Sequence, residues 1–138
     1  MIPHTMRVAR LDENLEVGIA EMDVPVVGAG EILVRTRACG ICTGDIMGWY
    51  MKRKAPLVFG HEPAGEVAAV GPGVEDLQPG DRVFVHHHAP CMTCRLCARG
   101  EYVQCVAWRN GKLIPGGMAE YTTIPERAKS SLIASSSC

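Results

Sequence analysis

Four cysteines lie close together in the second half of the chain, and their spacing constrains the fold more than any other feature. They are Cys91, Cys94, Cys97 and Cys105. Two-residue gaps allow consecutive thiolates to face one ion, and the longer last gap allows the chain to return and close a tetrahedron. The spacing therefore predicts a structural zinc held by a cysteine lobe over residues 91–105. Disulfides and an iron–sulfur cluster are the alternatives.

The length, net charge and cysteine count of the chain favour one globular domain in a reducing compartment. The chain has 138 residues, a formal net charge of −1 and seven cysteines. Its length suits one domain with a real core, and its nearly balanced charge gives no support for nucleic acid or an anionic membrane as a partner. No apolar run is long enough to span a bilayer, and residues 1–7 lack the apolar region of a secretory signal. An odd number of clustered cysteines fits a cytoplasmic metal site better than a disulfide framework.

The local patterns predict a mainly β fold with short helices. The chain contains 15 glycines and 9 prolines, with short apolar stretches between them, which favours strands and turns over long helices. Strands are predicted over residues 6–11, 15–22, 31–38, 64–70, 82–85 and 118–124. A short helix is predicted over 45–52, and a frayed Ser-rich tail over 128–138. The chain contains no Gly-x-Gly-x-x-Gly, so no nucleotide site is visible.

Two further segments carry possible metal ligands. One contains Cys39, Cys42 and Asp45, and the other contains His61 and Glu62. Thiolate, imidazole and carboxylate are the usual ligands of catalytic zinc, which keeps one coordination position open. Taken singly, each residue favours a structural role, as a hydrogen-bonded core histidine or a small buried cysteine.

Taken together in order, the motifs resemble those of the zinc-dependent alcohol dehydrogenases. Five motifs follow one another: Cys39-Gly-Ile-Cys42-x-x-Asp45, Gly60-His61-Glu62, Gly80-Asp81-Arg82-Val83, the four-cysteine lobe, and Gly116-Gly117-Met118-Ala119-Glu120-Tyr121. That family belongs to the medium-chain dehydrogenase/reductase superfamily, which includes polyol and threonine dehydrogenases. The resemblance extends from about Met6 to about Arg127. It implies a GroES-like catalytic domain, a partly open β-barrel with short helices, over residues 1–127.

The resemblance assigns a role to each residue of the second group. It implies that Cys42 and His61 are ligands of a catalytic zinc, and that Glu62 binds the metal directly or exchanges with water. Asp45 matches an acid that orients the ligand histidine, a role that metal-bound imidazoles commonly require. Cys39 matches an earlier, variable cysteine with a structural role.

Two positions depart from the family pattern. The family commonly has Ser or Thr two residues after the ligand cysteine, where the hydroxyl relays the substrate proton, and a His five residues after it. Here these positions are Gly44 and Met47. Thr43, one residue earlier, is the candidate replacement for the hydroxyl.

The resemblance also implies what a complete protein would contain. Family members continue into a Rossmann coenzyme domain of about 100–150 residues, which is absent from these 138 residues, as is the segment that supplies the third ligand. We expect the catalytic domain of a zinc-dependent dehydrogenase that oxidises an alcohol or polyol to a carbonyl. NAD or NADP is expected only in the full-length protein, which the resemblance allows to be a homo-oligomer. The alternative is a zinc-binding structural or interaction module without catalysis.

A histidine run and several nearby side chains leave alternatives open. The run 86–88 is interpreted as a polar strand end, whereas the resemblance suggests that His87 lines the substrate pocket; a third metal site is a further alternative. Trp49 and Tyr50 belong either to the pocket wall or to the core. Cys138, within the Ser-rich tail, is interpreted as exposed rather than as a metal ligand.

Overall fold

Strands account for most of the regular structure. The computed structural model describes residues 1–111 and 113–124, and the backbone of 132–134. Its strands are β1 (Thr5–Leu11), β2 (Val17–Asp23), β3 (Ile32–Gly40), β4 (Leu57–Val58), β5 (Glu62–Val70), β6 (Arg82–Val85), β7 (Tyr121–Ile124) and β8 (Leu132–Ala134). Its α-helices are α1 (Gly48–Lys52), α2 (Arg95–Ala98) and α3 (Val106–Arg109), and Thr43–Ile46 and Tyr102–Gln104 form 3₁₀ helices. The mainly β prediction with short helices is confirmed.

The strands form two antiparallel sheets. The smaller sheet has the order β2-β1-β4, and the larger has the order β7-β3-β5-β6-β8. The pairing of β3 with β5 aligns Ile32 with Val70 at one end and Gly40 with Glu62 at the other. The end of β3 and the start of β5 therefore lie side by side, although the two segments are about twenty residues apart in the sequence.

The core contains buried residues from both sheets, and β3 contributes residues to two of its clusters. Ile32, Leu33 and Val34 are all buried, which agrees with a continuous apolar run covered on both faces. Ile32 and Val34 pack in one cluster with Val67, Val83, Val85 and Ile124. Leu33 packs in a second cluster with Met6, Val8, Ala119 and Tyr121. Strand β3 thus joins the two clusters, and its exposed second half leads towards Cys42.

The first four predicted strands and the strand over 82–85 agree with the structure within two residues at each end, and two predicted elements differ more. The helix predicted over 45–52 is interrupted at Met47, whose ψ of 95° is extended. Gly44 and Gly48 flank this break, and glycine is a poor helix former. The strand predicted over 118–124 begins only at Tyr121, because Met118 instead accepts a hydrogen bond from the Ala9 amide in β1.

The prediction of a frayed tail over 128–138 differs from the structure at three residues. Leu132–Ala134 form β8, which pairs with β6 so that Leu132 aligns with Val85. Three apolar residues are too few for a periodic signal, and the free edge of β6 supplies hydrogen-bond partners that a sequence pattern does not reveal. The remainder of 128–138, including Cys138, lies outside the described residues.

None of the helices in the described part of the chain has the length and apolar character needed to traverse a bilayer.

Candidate metal centres

The four-cysteine lobe is an excursion between β6 and β7. The sulfur atoms of Cys91, Cys94, Cys97 and Cys105 all lie within 4.8 Å of one another. Cys94 caps the start of α2, where its sulfur accepts a hydrogen bond from the Cys97 amide at 3.5 Å. Gly100, with φ of +75°, then turns the chain back. The Cys91 amide donates to the Cys105 sulfur at 3.4 Å, which closes the loop.

The lobe has the donor chemistry and dimensions of a closed tetrahedral site. The Cys94 and Cys97 sulfurs are 3.5 Å apart, and those of Cys91 and Cys97 are 3.9 Å apart. Four thiolates at the usual Zn–S distance would stand about 3.8 Å from one another. The described cysteines are all free, and sulfurs this far apart are not disulfide-bonded. The residues therefore fit zinc.

Local hydrogen bonding and burial shift the pKa values of these thiols in opposite directions. The Thr93 hydroxyl lies 3.5 Å from the Cys91 sulfur, and this contact lowers the pKa of Cys91. Burial raises the pKa of Cys97. A cation bound directly to a buried thiolate would stabilise it.

A second group of ligand atoms lies at the adjacent ends of β3 and β5. The Cys42 sulfur, a His61 ring nitrogen and a Glu62 carboxylate oxygen lie within 4.8 Å of one another. Cys42 precedes the 3₁₀ helix Thr43–Ile46. His61 and Glu62 follow Gly60 at the start of β5. The alignment of Gly40 with Glu62 is what brings the two sequence motifs together.

Gly60 sets the position of His61 through close backbone packing. It has φ of +84°, and a Cβ on it would lie 2.7 Å from the Cys39 sulfur and 2.8 Å from the Met118 amide nitrogen. The Gly117 amide donates to the Gly60 carbonyl at 2.8 Å. The segment 116–118 and Cys39 therefore press against this turn, and only glycine fits both the space and the backbone angle.

Asp45 contacts both ligand-bearing segments. Its Oδ2 accepts a hydrogen bond from the Cys42 amide at 2.9 Å, and its Oδ1 lies 3.5 Å from Nδ1 of His61. The side chain of Asp45 is only 8% exposed. Nε2 of His61 lies 3.9 Å from the Glu62 carboxylate, so the ring presents one nitrogen to Asp45 and the other to the ligand group.

Cys39 and Thr43 lie near this group but outside it. Cys39 is half-buried, and burial raises the pKa of its thiol. Thr43 is exposed at the start of its 3₁₀ helix. A Cβ on Gly44 would lie 3.9 Å from the Cys42 sulfur and 3.5 Å from the Tyr50 ring, both ordinary contacts.

The histidine run is more than a polar strand end. The His87 ring lies 4.9 Å from the His61 ring, and its Nδ1 is buried without a hydrogen-bond partner among the described residues. Burial lowers the pKa of His87 to about 4. Nδ1 of His88 lies 2.7 Å from the Trp108 carbonyl. The sequence interpretation missed this packing because Trp108 lies beyond the cysteine lobe.

Trp49 and Tyr50 differ in their surroundings. Trp49 is 62% exposed, whereas Tyr50 packs against the buried cluster of Leu11, Met51 and Phe59. The two rings meet edge to face, with centroids 5.8 Å apart. Tyr50 therefore belongs partly to the core, and the core interpretation does not hold for Trp49.

The comparisons with known proteins identify the family of the fold. Residues 28–133 match the alcohol dehydrogenase GroES-like domain, which confirms the predicted GroES-like fold. L-threonine 3-dehydrogenase of Pyrococcus horikoshii is 40% identical over 117 residues, which cover 78% of this chain and 33% of that protein. This chain thus spans about a third of the length of that relative.

Two solved structures have the same fold over nearly the whole chain. One is the cobalt- and zinc-bound thermostable alcohol dehydrogenase of Pyrobaculum aerophilum, with a TM-score of 0.78 and 28% identity over 98% of this chain and 43% of that one. The other is the alcohol dehydrogenase rspB of E. coli CFT073 complexed with NADH. It has a TM-score of 0.78 and 29% identity over 96% of this chain and 39% of that one.

Proposed function

This chain belongs to the alcohol dehydrogenase GroES-like domain family, and on that premise we propose that it is the catalytic domain of a zinc-dependent dehydrogenase. The reaction is the oxidation of an alcohol, polyols included, to a carbonyl compound, with NAD or NADP as the coenzyme of the full-length protein. The observation that carries the proposal is the convergence of Cys42, His61 and Glu62 within 4.8 Å.

The donor set supports a catalytic rather than a structural metal at this group. One thiolate, one imidazole and one carboxylate make an incomplete tetrahedral shell, and catalytic zinc sites keep a position for substrate or water. The four thiolates of the lobe, in contrast, leave no position open. We assign the lobe to a structural zinc and the Cys42 group to a catalytic zinc.

The chain's own residues prepare the catalytic group. Asp45 faces Nδ1 of His61 at 3.5 Å, so it holds the proton on that nitrogen and leaves Nε2 unprotonated for a metal. The amide hydrogen bond from Cys42 to Asp45 fixes the thiolate relative to the same acid. When bound, zinc would act as a Lewis acid towards the substrate oxygen. The His87 ring lies 4.9 Å from the His61 ring, and its buried Nδ1 has no hydrogen-bond partner in the described part of the chain; both observations support a role for His87 in lining the substrate pocket.

The proposal is tested on the full-length protein with primary alcohols, secondary alcohols and polyols, each with NAD⁺ and with NADP⁺. We expect formation of reduced coenzyme with at least one alcohol. Cys42→Ser should lower kcat/KM by more than about 100-fold, because it removes a proposed ligand. Changes to residues that only contact a metal ligand commonly cost up to about 100-fold. Cys39→Ser is the matched control, because Cys39 lies outside the ligand group, and it should retain activity. A zinc-loaded, folded protein that oxidises no alcohol would instead support the structural-module alternative.

A further inference from the structure

The chain contains two asparagines, Asn14 and Asn110, and only Asn110 is followed by a glycine. An asparagine before glycine is especially prone to deamidation, because the glycine nitrogen can attack the side-chain amide carbon with no side chain of its own in the way. Asn110 is exposed and caps the end of α3, which follows the cysteine lobe. Neither group of metal ligands contains it, so the backbone around it decides whether this reaction can occur.

Two hydrogen bonds hold Asn110 and Gly111 in a conformation that opposes the attack. The Asn110 amide donates to the Val106 carbonyl at 3.0 Å, and the Gly111 amide donates to the Trp108 carbonyl at 3.2 Å. Asn110 has φ of −99° and ψ of 3°. The attacking nitrogen is thus already engaged as a hydrogen-bond donor, and a rotation about ψ that turns it towards the Asn110 side chain breaks this bond.

Packing against the histidine run restrains Gly111 further. A Cβ on Gly111 would collide with the His87 carbonyl and would lie 3.3 Å from Cα of His88, so the backbone of the run lies directly against Gly111. Nδ1 of His88 lies 2.7 Å from the Trp108 carbonyl, which is the carbonyl that accepts the Gly111 amide hydrogen. The turn after α3 is therefore held between the end of that helix and residues 86–88.

These contacts depend on Cys105, the last cysteine of the lobe. Cys105 is the N-cap of α3, and its carbonyl accepts the Arg109 amide hydrogen at 3.0 Å. A helix of four residues is not stable by itself, so α3 needs Cys105 to be held in place. The proposed zinc does this, because binding free energy at a structural zinc contributes to folding. Loss of the metal should therefore open α3 locally and release the Gly111 amide.

We propose that Asn110 is a modification site at which deamidation marks chains that have lost the metal of the cysteine lobe. The Gly111 nitrogen loses its proton and forms a bond to Cγ of Asn110, the C–N bond of the side-chain amide breaks, and ammonia leaves. Water then opens the cyclic imide to aspartate or isoaspartate, so the reaction needs no oxidant and no cofactor. This inference rests on the structural zinc proposed for the lobe and is independent of the dehydrogenase activity.

The test compares the zinc-loaded and the chelated full-length protein during incubation at one temperature and pH. Peptide mass spectrometry measures the conversion of amide to acid at Asn110, and enzymatic methylation measures isoaspartate. We expect deamidation at Asn110 to be about tenfold faster or more after chelation, because the reaction proceeds from the locally opened lobe. Asn14 is the internal control, since Leu15 follows it, and its slow deamidation should not depend on the metal.

Two variants identify the metal that protects Asn110, since a chelator empties both groups of ligands. In the presence of zinc, Cys105→Ser should deamidate at Asn110 as fast as the chelated protein, whereas Cys42→Ser should be as slow as the parent. Hydrogen exchange of β3 in the same samples reports global unfolding. Equal rates at Asn110 with and without metal would overturn the proposal. It would also be overturned by fast deamidation in Cys42→Ser, or by acceleration that occurs only when β3 loses protection.

Discussion

Asp45 connects the two sequence motifs of the proposed catalytic group. One of its carboxylate oxygens accepts the Cys42 amide hydrogen, and the other faces His61. An acid that contacts an imidazole in this way fixes its tautomer and strengthens it as a ligand. Asp45, three residues after Cys42 and nearly buried, therefore belongs to the proposed site although it is not one of the proposed ligands.

Replacement of Asp45 should lower the affinity of the Cys42 group for zinc without removing a proposed ligand. We predict that Asp45→Asn lowers zinc affinity at the Cys42 group by about 10–100-fold, because an amide can occupy the same volume but lacks the charge. Competition with a chromophoric chelator measures this. Asp81→Asn is the control, since Asp81 caps the Gln78 amide at 2.9 Å in an equivalent local turn. Equal affinities in the two variants would show that Asp45 is only a cap.

Gly60 and Gly73 offer a matched pair for backbone strain and close packing. Both have φ of +84°, but a Cβ on Gly73 would meet nothing within 4 Å, whereas one on Gly60 would press on Cys39 and Met118. We predict that both alanine variants lose about 1 kcal/mol or more of unfolding free energy from backbone strain. Only Gly60→Ala should also lose zinc affinity at the Cys42 group, because it displaces His61. Denaturant unfolding and zinc titration separate the two effects.

At the scale of elements, the cysteine lobe contains only short helices. Helix α2 contains four residues and the 3₁₀ helix Tyr102–Gln104 contains three, and helices this short are not stable by themselves. Cys97 and Cys105 are the buried cysteines of the lobe. We therefore expect the proposed zinc to contribute to the order of this segment.

Metal removal should loosen the lobe before it affects the sheets. Binding free energy at structural zinc sites contributes directly to folding. We predict that a chelator, or Cys105→Ser, increases amide hydrogen exchange over residues 91–105, while the amides of β3 and β5 remain protected. Mass spectrometry of peptides from both regions measures this. Unchanged protection of the lobe in metal-free protein would contradict the assignment.

The sequence predicts elements well where the signal is local. Strand β6 has the predicted bounds, because a Pro-Gly-Asp turn precedes its alternating pattern. The convergence of the four cysteines follows from their spacing alone. Strand β8 was missed because its partner, β6, is remote in sequence. The contact between His87 and His61 depends on the path of the chain after the end of β6, and no local sequence pattern predicts that path.

At the scale of the whole molecule, the strand order of the larger sheet brings the second group of ligand atoms together. Cys42 follows β3, His61 precedes β5, and His87 follows β6. These three strands are consecutive neighbours in the larger sheet, so these ends lie together although Cys42 and His87 are 45 positions apart in the chain. The larger sheet thus carries the second group of ligand atoms at the ends of its strands, and the cysteine lobe is part of the connection between its strands β6 and β7.

Zinc stoichiometry tests the central claim most directly, because the account assigns two separate metals to the two groups. We predict two zinc ions per chain in the protein refolded with zinc and freed of excess metal by mild dialysis, the ion at the Cys42 group being held more weakly. Cys42→Ser should retain one zinc, bound by the cysteine lobe, and Cys39→Ser should retain two. Unchanged zinc content in Cys42→Ser, or iron in place of zinc in the lobe, would contradict the account.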